Sequence, residues 1–315
     1  MNLVEVTVII PLYNGERFII EALDSVANQT FTKWKCIIVN DGSTDRSPEL
    51  IDNYIKDNQH LNLQVLTTSN LGPGHARNYG FVRTNSKYIA FLDQDDLWLP
   101  DKLKLQVEYL ENNKDQSGVL CDFMISKNSQ KGLVASRLIR NRNLKKLSRN
   151  WISLEGNGAF ISSCLLFRKN EITNKLDFNT KYSHLGDLDF YLKFESLCSV
   201  GYLANCLAIY RQHESQMHFN ADALKTEYLK LSNELAFEKY DLTSNRVLGN
   251  VYAMSALLEM HLGKYSIAKS DLANSVRYDF LSPPRILFCV VKKRFKGYFD
   301  RFIKDTFEFK TKKRY

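Results

Sequence analysis

The chain has 315 residues, of which 44% are hydrophobic and 25% are charged, and its formal net charge is +8. This composition is typical of a globular protein with a sizeable core and excludes a disordered or fibrous chain. No apolar run approaches the roughly 20 residues that a membrane-spanning helix needs, and the first residues show no secretory signal.

Strand and helix patterns alternate through the first two thirds of the chain. Apolar runs rich in Val and Ile predict strands at 5–12, 34–40, 63–67, 88–92, 119–125, 160–168 and 201–211. Helical spacing of apolar residues predicts helices at 16–28, 48–56, 75–84, 102–113 and, after a turn, within 182–197. This alternation predicts an α/β fold with a mostly parallel central sheet and helices on both faces. From about residue 222 the composition is helical, with a helix pair predicted at 245–260 and 264–278.

The most informative stretch is 88–100, YIAFLDQDDLWLP, in which three aspartates follow directly after an apolar strand. Because side chains alternate along a strand, Asp93 and Asp95 are predicted to share one face and Asp96 to lie on the other. Two carboxylates on one face repel each other unless a cation lies between them, and oxygen ligands suit Mg²⁺ or Mn²⁺. The alternative is a solvated acidic turn before a helix, with Asp96 or Asp101 as its cap.

Polar residues also follow the earlier strands of the predicted sheet. Asn40 and Asp41 end the second strand, and Asn70 follows the third. Ligands of parallel α/β sheets bind at the carboxyl ends of the strands. We therefore expect these residues and the acidic stretch to converge on one cleft.

The cysteines and the basic residues carry weaker signals. Six cysteines are scattered without a Cys-x-x-Cys pair, which predicts buried free thiols. Residues 285–315 contain eleven Lys/Arg and three Asp/Glu, and residues 126–150 contain eight Lys/Arg and no acid. We interpret 285–315 as a basic, aromatic surface for an anionic membrane, with a helical partner interface as the alternative. Residues 126–150 are either a solvated loop or a contact for phosphate.

Four blocks of the sequence, in this order, resemble glycosyltransferase family 2, whose members are inverting enzymes of the GT-A fold. They are VTVIIPLYNGERFIIEALDSVANQT, IIVNDGSTDRS, NLGPGHARNYG and YIAFLDQDDLWLPDKL, while HLGDLDFYLKF and YRQHESQM agree less closely. Together they cover roughly residues 5–217. The resemblance implies a GT-A catalytic domain over 1–220, with a nucleotide-sugar half at about 1–100 and an acceptor half at about 101–220. A helical C-terminal region with the basic tail is expected over 221–315.

The resemblance also implies roles for individual residues. Asp187 resembles the general base, and Asp93 and Asp95 resemble the metal-binding Asp-x-Asp motif. His213 resembles a late residue that reaches the metal or the leaving diphosphate. The implied nucleotide-sugar contacts are Pro11, Tyr13, Asn14, Asp41, Asn70, Arg77, Asp93 and Gln94. The alternatives left open are a helix cap or helix-dipole partner for Asp187, a surface or core histidine for His213, and an ordinary helix-surface charge for Arg77.

Three departures from the family pattern stand out. Gly186 occupies the position before the base, where the family usually has Glu. Asn40 replaces the first Asp of a common Asp-Asp pair. The Gln-x-x-Arg-Trp block of processive members is missing from the sequence, which argues against a polymerising, membrane-spanning synthase.

The activity implied by the resemblance is that of a glycosyltransferase using Mn²⁺ or Mg²⁺. It would move a single sugar from a nucleotide sugar, expected to be a UDP-sugar, to a glycan or lipid-linked saccharide in cell-surface polysaccharide assembly. The expected localisation is cytoplasmic and peripheral to the membrane, with no nucleic-acid partner. A catalytically silent sugar- or nucleotide-binding module is the alternative. A nucleotide-binding oxidoreductase is disfavoured because the turn after the first strand lacks a Gly-x-Gly-x-x-Gly motif.

Overall fold

The computed structural model describes residues 4–129, 132–139, 161–213, 221–232, 244–261, 264–280 and 282–283. The described residues up to 213 form one compact unit, and those from 221 onward belong to a second. None of the helices in the described part is long and apolar enough to cross a membrane. The exact domain boundary at 220 stays a prediction, since residues 214–220 lie outside the described residues.

The first unit is built on one sheet. Its strands are β1 (Val6–Leu12), β2 (Trp34–Asn40), β3 (Leu63–Thr67), β4 (Tyr88–Phe91), β5 (Leu97–Trp98), β6 (Gly118–Ser129), β7 (Gly132–Ile139), β8 (Leu165–Arg168) and β9 (Val200–Gln212). The order across the sheet is β3-β2-β1-β4-β8-β6-β9-β5, and β7 pairs with β6. The strands of the nucleotide half, from β3 to β4, are parallel as predicted. Beyond β4 the sheet is mixed, because β8 is antiparallel to both of its neighbours.

The helices follow the predicted spacing of apolar residues. They are α1 (Ile19–Ala27), α2 (Ser47–Asp57), α3 (Pro73–Phe81), α4 (Lys102–Asn112) and α5 (Gly186–Leu197) in the first unit, and α6 (Ala221–Ser232), α7 (Ser244–His261) and α8 (Tyr265–Tyr278) in the second. In α1, Ile19, Ala22, Leu23 and Val26 recur every three or four positions and are all buried. The predicted α/β fold is therefore confirmed.

One expectation from the sequence is corrected in the basic segment. The strand pattern was expected to break at 126, but β6 continues to Ser129 and pairs antiparallel with β7 as a hairpin. The polar side chains after residue 125 suggest a loop. The strand continues nevertheless, because the backbone of β6 also pairs with β9, and this pairing satisfies its amides independently of the side chains. Residues 140–150 lie outside the described residues. The five described cysteines are free thiols, as predicted, and three of them are buried.

Buried polar contacts join the helices of the second unit. Asp271 of α8 is buried and accepts hydrogen bonds from Ser255 Oγ at 2.6 Å and from Lys225 Nζ at 3.0 Å. Ser275 Oγ, also fully buried, donates to the Gly249 carbonyl at 2.7 Å. These contacts tie α8 to α7 and α6, and they confirm the predicted helix pair.

Candidate active site

The acidic turn, residues 93–96, lies directly beyond β4. The backbone N–H of Asp96 donates to the carbonyl of Asp93 at 3.0 Å, which closes the turn. Strand alternation does not apply to Asp93, Asp95 and Asp96, because β4 ends at Phe91. Asp93 and Asp95 are nevertheless partly exposed and Asp96 is fully buried. The three carboxylates of the turn meet three different sets of partners.

Asp93 is bound to Arg77, a buried side chain of α3. The Arg77 Nη2 donates to Asp93 Oδ1 at 2.5 Å, and its Nη1 lies 3.3 Å from Asp187 Oδ1 at the start of α5. The guanidinium also stacks over the Phe178 ring, 5.0 Å from the ring centroid. Burial raises the pKa of Asp93 to about 6, although Arg77 opposes this shift and Asp187 adds to it. The carboxylates of Asp187 and Asp93 raise the pKa of Arg77, so this bridge keeps its charge.

Asp95 faces His213. The His213 Nε2 lies 2.9 Å from Asp95 Oδ2, and the imidazole packs 4.5 Å from the Phe18 ring centroid. His213 follows β9 directly, so the edge of the sheet brings this late residue to the acidic turn. Within the described residues, no group of three or more His, Cys, Asp or Glu side chains is arranged to hold a metal ion. The structure therefore joins two of the three predicted metal ligands as a pair, with Asp93 held by Arg77.

Asp96 is fully buried beneath the turn. Its Oδ2 accepts from Ser163 Oγ at 2.7 Å, and its Oδ1 accepts from the backbone N–H of Arg211 at 3.3 Å. Burial, with Asp95 and Asp93 as negative neighbours, raises the pKa of Asp96 well above its usual value. Ser163 and Arg211 were not singled out from the sequence, because a Ser-Ser-Cys turn and a strand arginine carry no distinctive pattern.

Asp41 lies buried at the end of β2 and fixes the loop before α3. Its Oδ1 accepts from Thr68 Oγ1 at 2.7 Å and from the Leu71 N–H at 2.9 Å. Its Oδ2 accepts from the Gly72 N–H at 2.7 Å. The neighbouring Asn40 caps its own turn, since its Oδ1 accepts from the Ser43 N–H at 3.0 Å. Asp41 thus shapes the loop that carries Asn70 and leads into Arg77.

The turn after β1 is bound to the acidic turn by a side-chain amide. Gln94 Oε1 accepts from the Tyr13 N–H at 2.8 Å, and Gln94 Nε2 donates to the Tyr13 carbonyl at 3.1 Å. The amide passes so close to Gly15 that a Cβ on this glycine would lie 2.8 Å from Gln94 Oε1. Asn70 Nδ2 donates to the Tyr13 hydroxyl at 3.3 Å. These contacts place Tyr13, Asn70 and Gln94 side by side, as predicted.

The two remaining predicted contacts, Pro11 and Asn14, have structural partners. Asn14 adopts a left-handed conformation with φ of 47°, and its Oδ1 accepts from the Thr44 N–H at 2.8 Å. Pro11 is buried in β1 opposite Val39 of β2. Both positions therefore fix the first turn, and their contact with a ligand stays a prediction.

A second side-chain amide holds Phe178 under Arg77. Asn78 Nδ2 donates to the Phe178 carbonyl at 2.8 Å, and Asn78 Oδ1 accepts from the Phe178 N–H at 2.8 Å. The helix-cap alternative for Asp187 is not what the structure places there, because Leu185 is the N-cap of α5 and no side chain caps it. Asp187 instead reaches Arg77, on the side of the acidic turn.

Comparison with known proteins gives the family of this architecture. A family model described as Glycosyl transferase family 2 matches residues 7–176. An uncharacterized glycosyltransferase of Rickettsia typhi is 30% identical over 216 residues, which cover 67% of this chain and 65% of the relative. A Bacillus subtilis glycosyltransferase named for teichuronic acid biosynthesis, TuaG, is 38% identical over 105 residues, 33% of this chain and 41% of that protein.

The chain spans less than half the length of several other relatives. The match spans 15% of a Rickettsia bellii relative, 18% of a Rickettsia felis relative and 45% of a Haemophilus influenzae relative. Solved structures share the fold at low identity. S. aureus TarS 1–349 in complex with UDP-GlcNAc has a TM-score of 0.55 at 18% identity, covering 88% of this chain and 91% of that one. Mannosyltransferase PcManGT of Pyrobaculum calidifontis, in complex with GDP-Man and Mn²⁺, has a TM-score of 0.58 at 17% identity, covering 93% and 87%.

Proposed function

Because the chain belongs to glycosyltransferase family 2, we propose that it is a metal-dependent inverting enzyme that moves a single sugar from a nucleotide sugar to a saccharide or lipid-linked saccharide. The observation that supports this most directly is the Arg77 guanidinium, which joins Asp93 of the acidic turn to Asp187 of α5. The expected base and the expected metal-binding motif are neighbours, although they come from distant parts of the sequence.

Asp187 is the residue proposed to activate the acceptor. A sugar hydroxyl has a pKa far above 7, so it needs a base within hydrogen-bond reach as it attacks the anomeric carbon. The Asp187 carboxylate accepts the hydroxyl proton while the hydroxyl oxygen forms the new glycosidic bond. The nucleoside diphosphate leaves from the opposite face, and this single displacement inverts the anomeric configuration. Arg77 orients the Asp187 carboxylate from one side, and 23% of that side chain remains exposed.

The residues present fit a divalent cation at Asp95 and His213. A carboxylate oxygen and an imidazole nitrogen lie 2.9 Å apart, a donor pair that favours Mn²⁺ over the more strictly oxygen-seeking Mg²⁺. Asp93 is held by Arg77, so Asp95 is the stronger candidate ligand of the two aspartates. When bound, such an ion acts as a Lewis acid that stabilises the charge on the departing diphosphate.

The hydrogen bonds of Asp41 favour a base with a ring N–H, such as uracil, over cytosine. A carboxylate offers about four acceptor positions, and in this structure Oδ1 accepts two hydrogen bonds and Oδ2 accepts one. The position left on Oδ2 suits a ring N–H donor, which uracil has and cytosine lacks at the same place. Among the described residues, the buried Nε of Arg77 has no acceptor, and an oxygen of the donor could supply one.

Ligand binding tests the donor assignment without any acceptor. Thermal unfolding is measured with UDP, GDP or CDP, each with and without Mn²⁺, because a ligand that binds only the folded state raises the unfolding midpoint. We expect the largest increase for UDP with Mn²⁺, and a smaller one when the ion is replaced by EDTA. A midpoint that no nucleotide raises would refute the proposal.

Turnover tests the roles of the acids. Mn²⁺-dependent release of UDP from UDP-sugars is measured for the wild type, Asp95→Ala, Asp187→Asn and Asp101→Asn. Asp101 is a matched control, since it follows the acidic turn but its carboxylate accepts from Thr30. We expect Asp95→Ala to abolish the metal-dependent release and Asp187→Asn to lower transfer by about 10²–10⁴-fold with UDP binding retained. Unchanged turnover in Asp187→Asn would remove the base role, whereas a wild type that binds UDP but releases none from UDP-sugars would leave a sugar-binding module as the better explanation.

The basic tail gives the proposed location of the enzyme. Residues 285–315 carry a net charge of +8 and many aromatic residues, a composition that suits an anionic membrane surface on the cytoplasmic side. Such a surface would bring the enzyme to a lipid-linked acceptor. Deleting 285–315 is expected to abolish binding to anionic liposomes at low salt, as measured by co-sedimentation. Equal binding of the full and shortened chains would contradict this location.

A further inference from the structure

Ser163 is a fully buried residue to which the proposed reaction assigns no role. It lies in the 3-10 turn Ser162–Cys164, directly before β8. Its Oγ donates to Asp96 Oδ2 at 2.7 Å and accepts from the backbone N–H of Asp93 at 3.2 Å. Its carbonyl accepts from the indole N–H of Trp98 at 2.8 Å, which fixes Ser163 in turn. One hydroxyl therefore binds both ends of the acidic turn.

Arg211 of β9 completes the attachment from the other side. Its backbone N–H donates to the second oxygen of Asp96 at 3.3 Å, and its Nε donates to the Asp95 carbonyl at 3.0 Å. The Asp96 carboxyl is thus held between Ser163 and Arg211 and links β8 to β9 beneath the turn. We call Ser163, Asp96 and Arg211 the turn clamp.

The turn clamp opposes a repulsion that the acidic turn contains. Asp93 and Asp95 carry carboxylates two residues apart, and like charges at this distance disfavour the conformation that gathers them. A bound cation would attract both carboxylates and offset this repulsion. Because the backbone of the turn is already fixed before the cation binds, less conformational entropy is lost on binding. The turn clamp holds the backbone of Asp93 and Asp95, and it thereby fixes the orientation of their side chains.

We propose that Ser163 is a positioning residue that sets the affinity of the acidic turn for a divalent cation bound with a nucleoside diphosphate. The inference rests on the proposed function and extends it to a residue behind the site. Ser163 acts through Asp93 and Asp96 and touches neither substrate nor ion. Its loss weakens binding of the ion and the nucleotide, while the rate at saturation with both changes much less.

The test measures binding directly. Isothermal titration of UDP in the presence of Mn²⁺, together with the electron paramagnetic resonance signal of free Mn²⁺, is carried out on the wild type, Ser163→Ala, Ser163→Cys and Ser275→Ala. Ser275 is the matched control, because it is also fully buried and loses a 2.7 Å hydrogen bond, but in the second unit. The unfolding midpoint of each variant is recorded as a check on folding.

We expect Ser163→Ala to weaken binding of Mn²⁺ with UDP about tenfold, as expected for the loss of one buried hydrogen bond. A thiol is a weak donor, so Ser163→Cys is expected to lie between serine and alanine. Ser275→Ala is expected to lower the unfolding midpoint and leave the affinity within twofold of the wild type. In turnover, Ser163→Ala is expected to raise the Mn²⁺ and donor concentrations needed for half-maximal rate and to lower kcat by less than threefold.

Two outcomes would overturn the inference in different ways. If the wild type binds UDP with Mn²⁺ and Ser163→Ala binds it equally well, Ser163 is only structural and the proposed function stands. If the wild type binds no UDP with Mn²⁺, both the proposed function and the positioning role are refuted. Should Ser163→Ala be unfolded, the affinity of Ser163→Cys decides by the same criterion.

Discussion

Replacing Asp93 by Asn should stabilise the protein while it removes activity. The pKa of Asp93 is raised from 3.8 to about 6, chiefly by burial. Each pKa unit corresponds to about 1.4 kcal/mol, so ionised Asp93 costs the folded state roughly 3 kcal/mol at pH 7.5. Asn resembles the protonated carboxyl in shape and charge, and Arg77 keeps Asp187 as its anionic partner. The predicted gain is therefore at most roughly 3 kcal/mol, because the Asn amide no longer forms the ion pair with Arg77.

The raised pKa of Asp93 also determines how the stability of the wild type depends on pH. Below pH 3.8 the Asp93 carboxyl is protonated in both the folded and the unfolded chain, so it does not change stability with pH. Between pH 3.8 and about 6 only the unfolded chain ionises, and wild-type stability falls as the pH rises through this window. The advantage of Asp93→Asn should appear across that window and reach a plateau above pH 7.

Thermal unfolding in EDTA at pH 4, 6 and 7.5 checks this prediction. A gain of roughly 3 kcal/mol corresponds to about 6–12 °C in the unfolding midpoint at pH 7.5 for a unit of this size, with little difference from the wild type at pH 4. Asp52→Asn, an exposed aspartate of α2, is the control and should change the midpoint little at any pH. A variant that is less stable than the wild type at pH 7.5, or a gain in stability that does not depend on pH, would show that burial does not raise the pKa of Asp93.

Three further substitutions test separate contacts. Arg77→Lys keeps one charge but cannot bridge two carboxylates, so we expect kcat to fall at least about tenfold in steady-state kinetics, with a smaller change in donor KM. Gly15→Ala places a Cβ 2.8 Å from Gln94 Oε1, and we expect a loss of about 1–3 kcal/mol in urea unfolding, which Gln94→Ala in the same chain should partly restore. Burial lowers the pKa of Lys102 from 10.5 to about 8, so wild-type stability should rise as the pH increases from 8 towards 10.5, whereas Lys102→Met should show no such rise.

The first half of the sheet could be predicted because its signals are local. A strand that is buried on both faces is a run of Val and Ile, and a turn rich in Gly, Asn and Asp follows it in the sequence. Parallel strands then require that these turns meet at one edge. For this reason Asn70 and Gln94 were predicted to converge, and in the structure both form hydrogen bonds with Tyr13.

The parts of the site that were not predicted depend on contacts distant in sequence. Ser163 and Arg211 meet Asp96 only because β8 and β9 enter the sheet out of chain order, and no local pattern indicates that order. The end of β4 before Asp93 was not predicted for a related reason. Where a strand ends is decided by the backbone hydrogen bonds of its partner, and β8 pairs with β4 through Ala90 but no further. The roles of the predicted site residues stay predictions until ligand binding is measured.

The two side-chain amides, Gln94 on Tyr13 and Asn78 of α3 on Phe178, imitate the paired bonds of a β-bridge between segments that the sheet itself does not join. A pair of hydrogen bonds made by a side chain can be removed or restored by a single substitution, whereas the backbone hydrogen bonds of a β-ladder cannot. A substitution at Gln94 or Asn78 should therefore loosen the segment that it holds without disturbing a single strand.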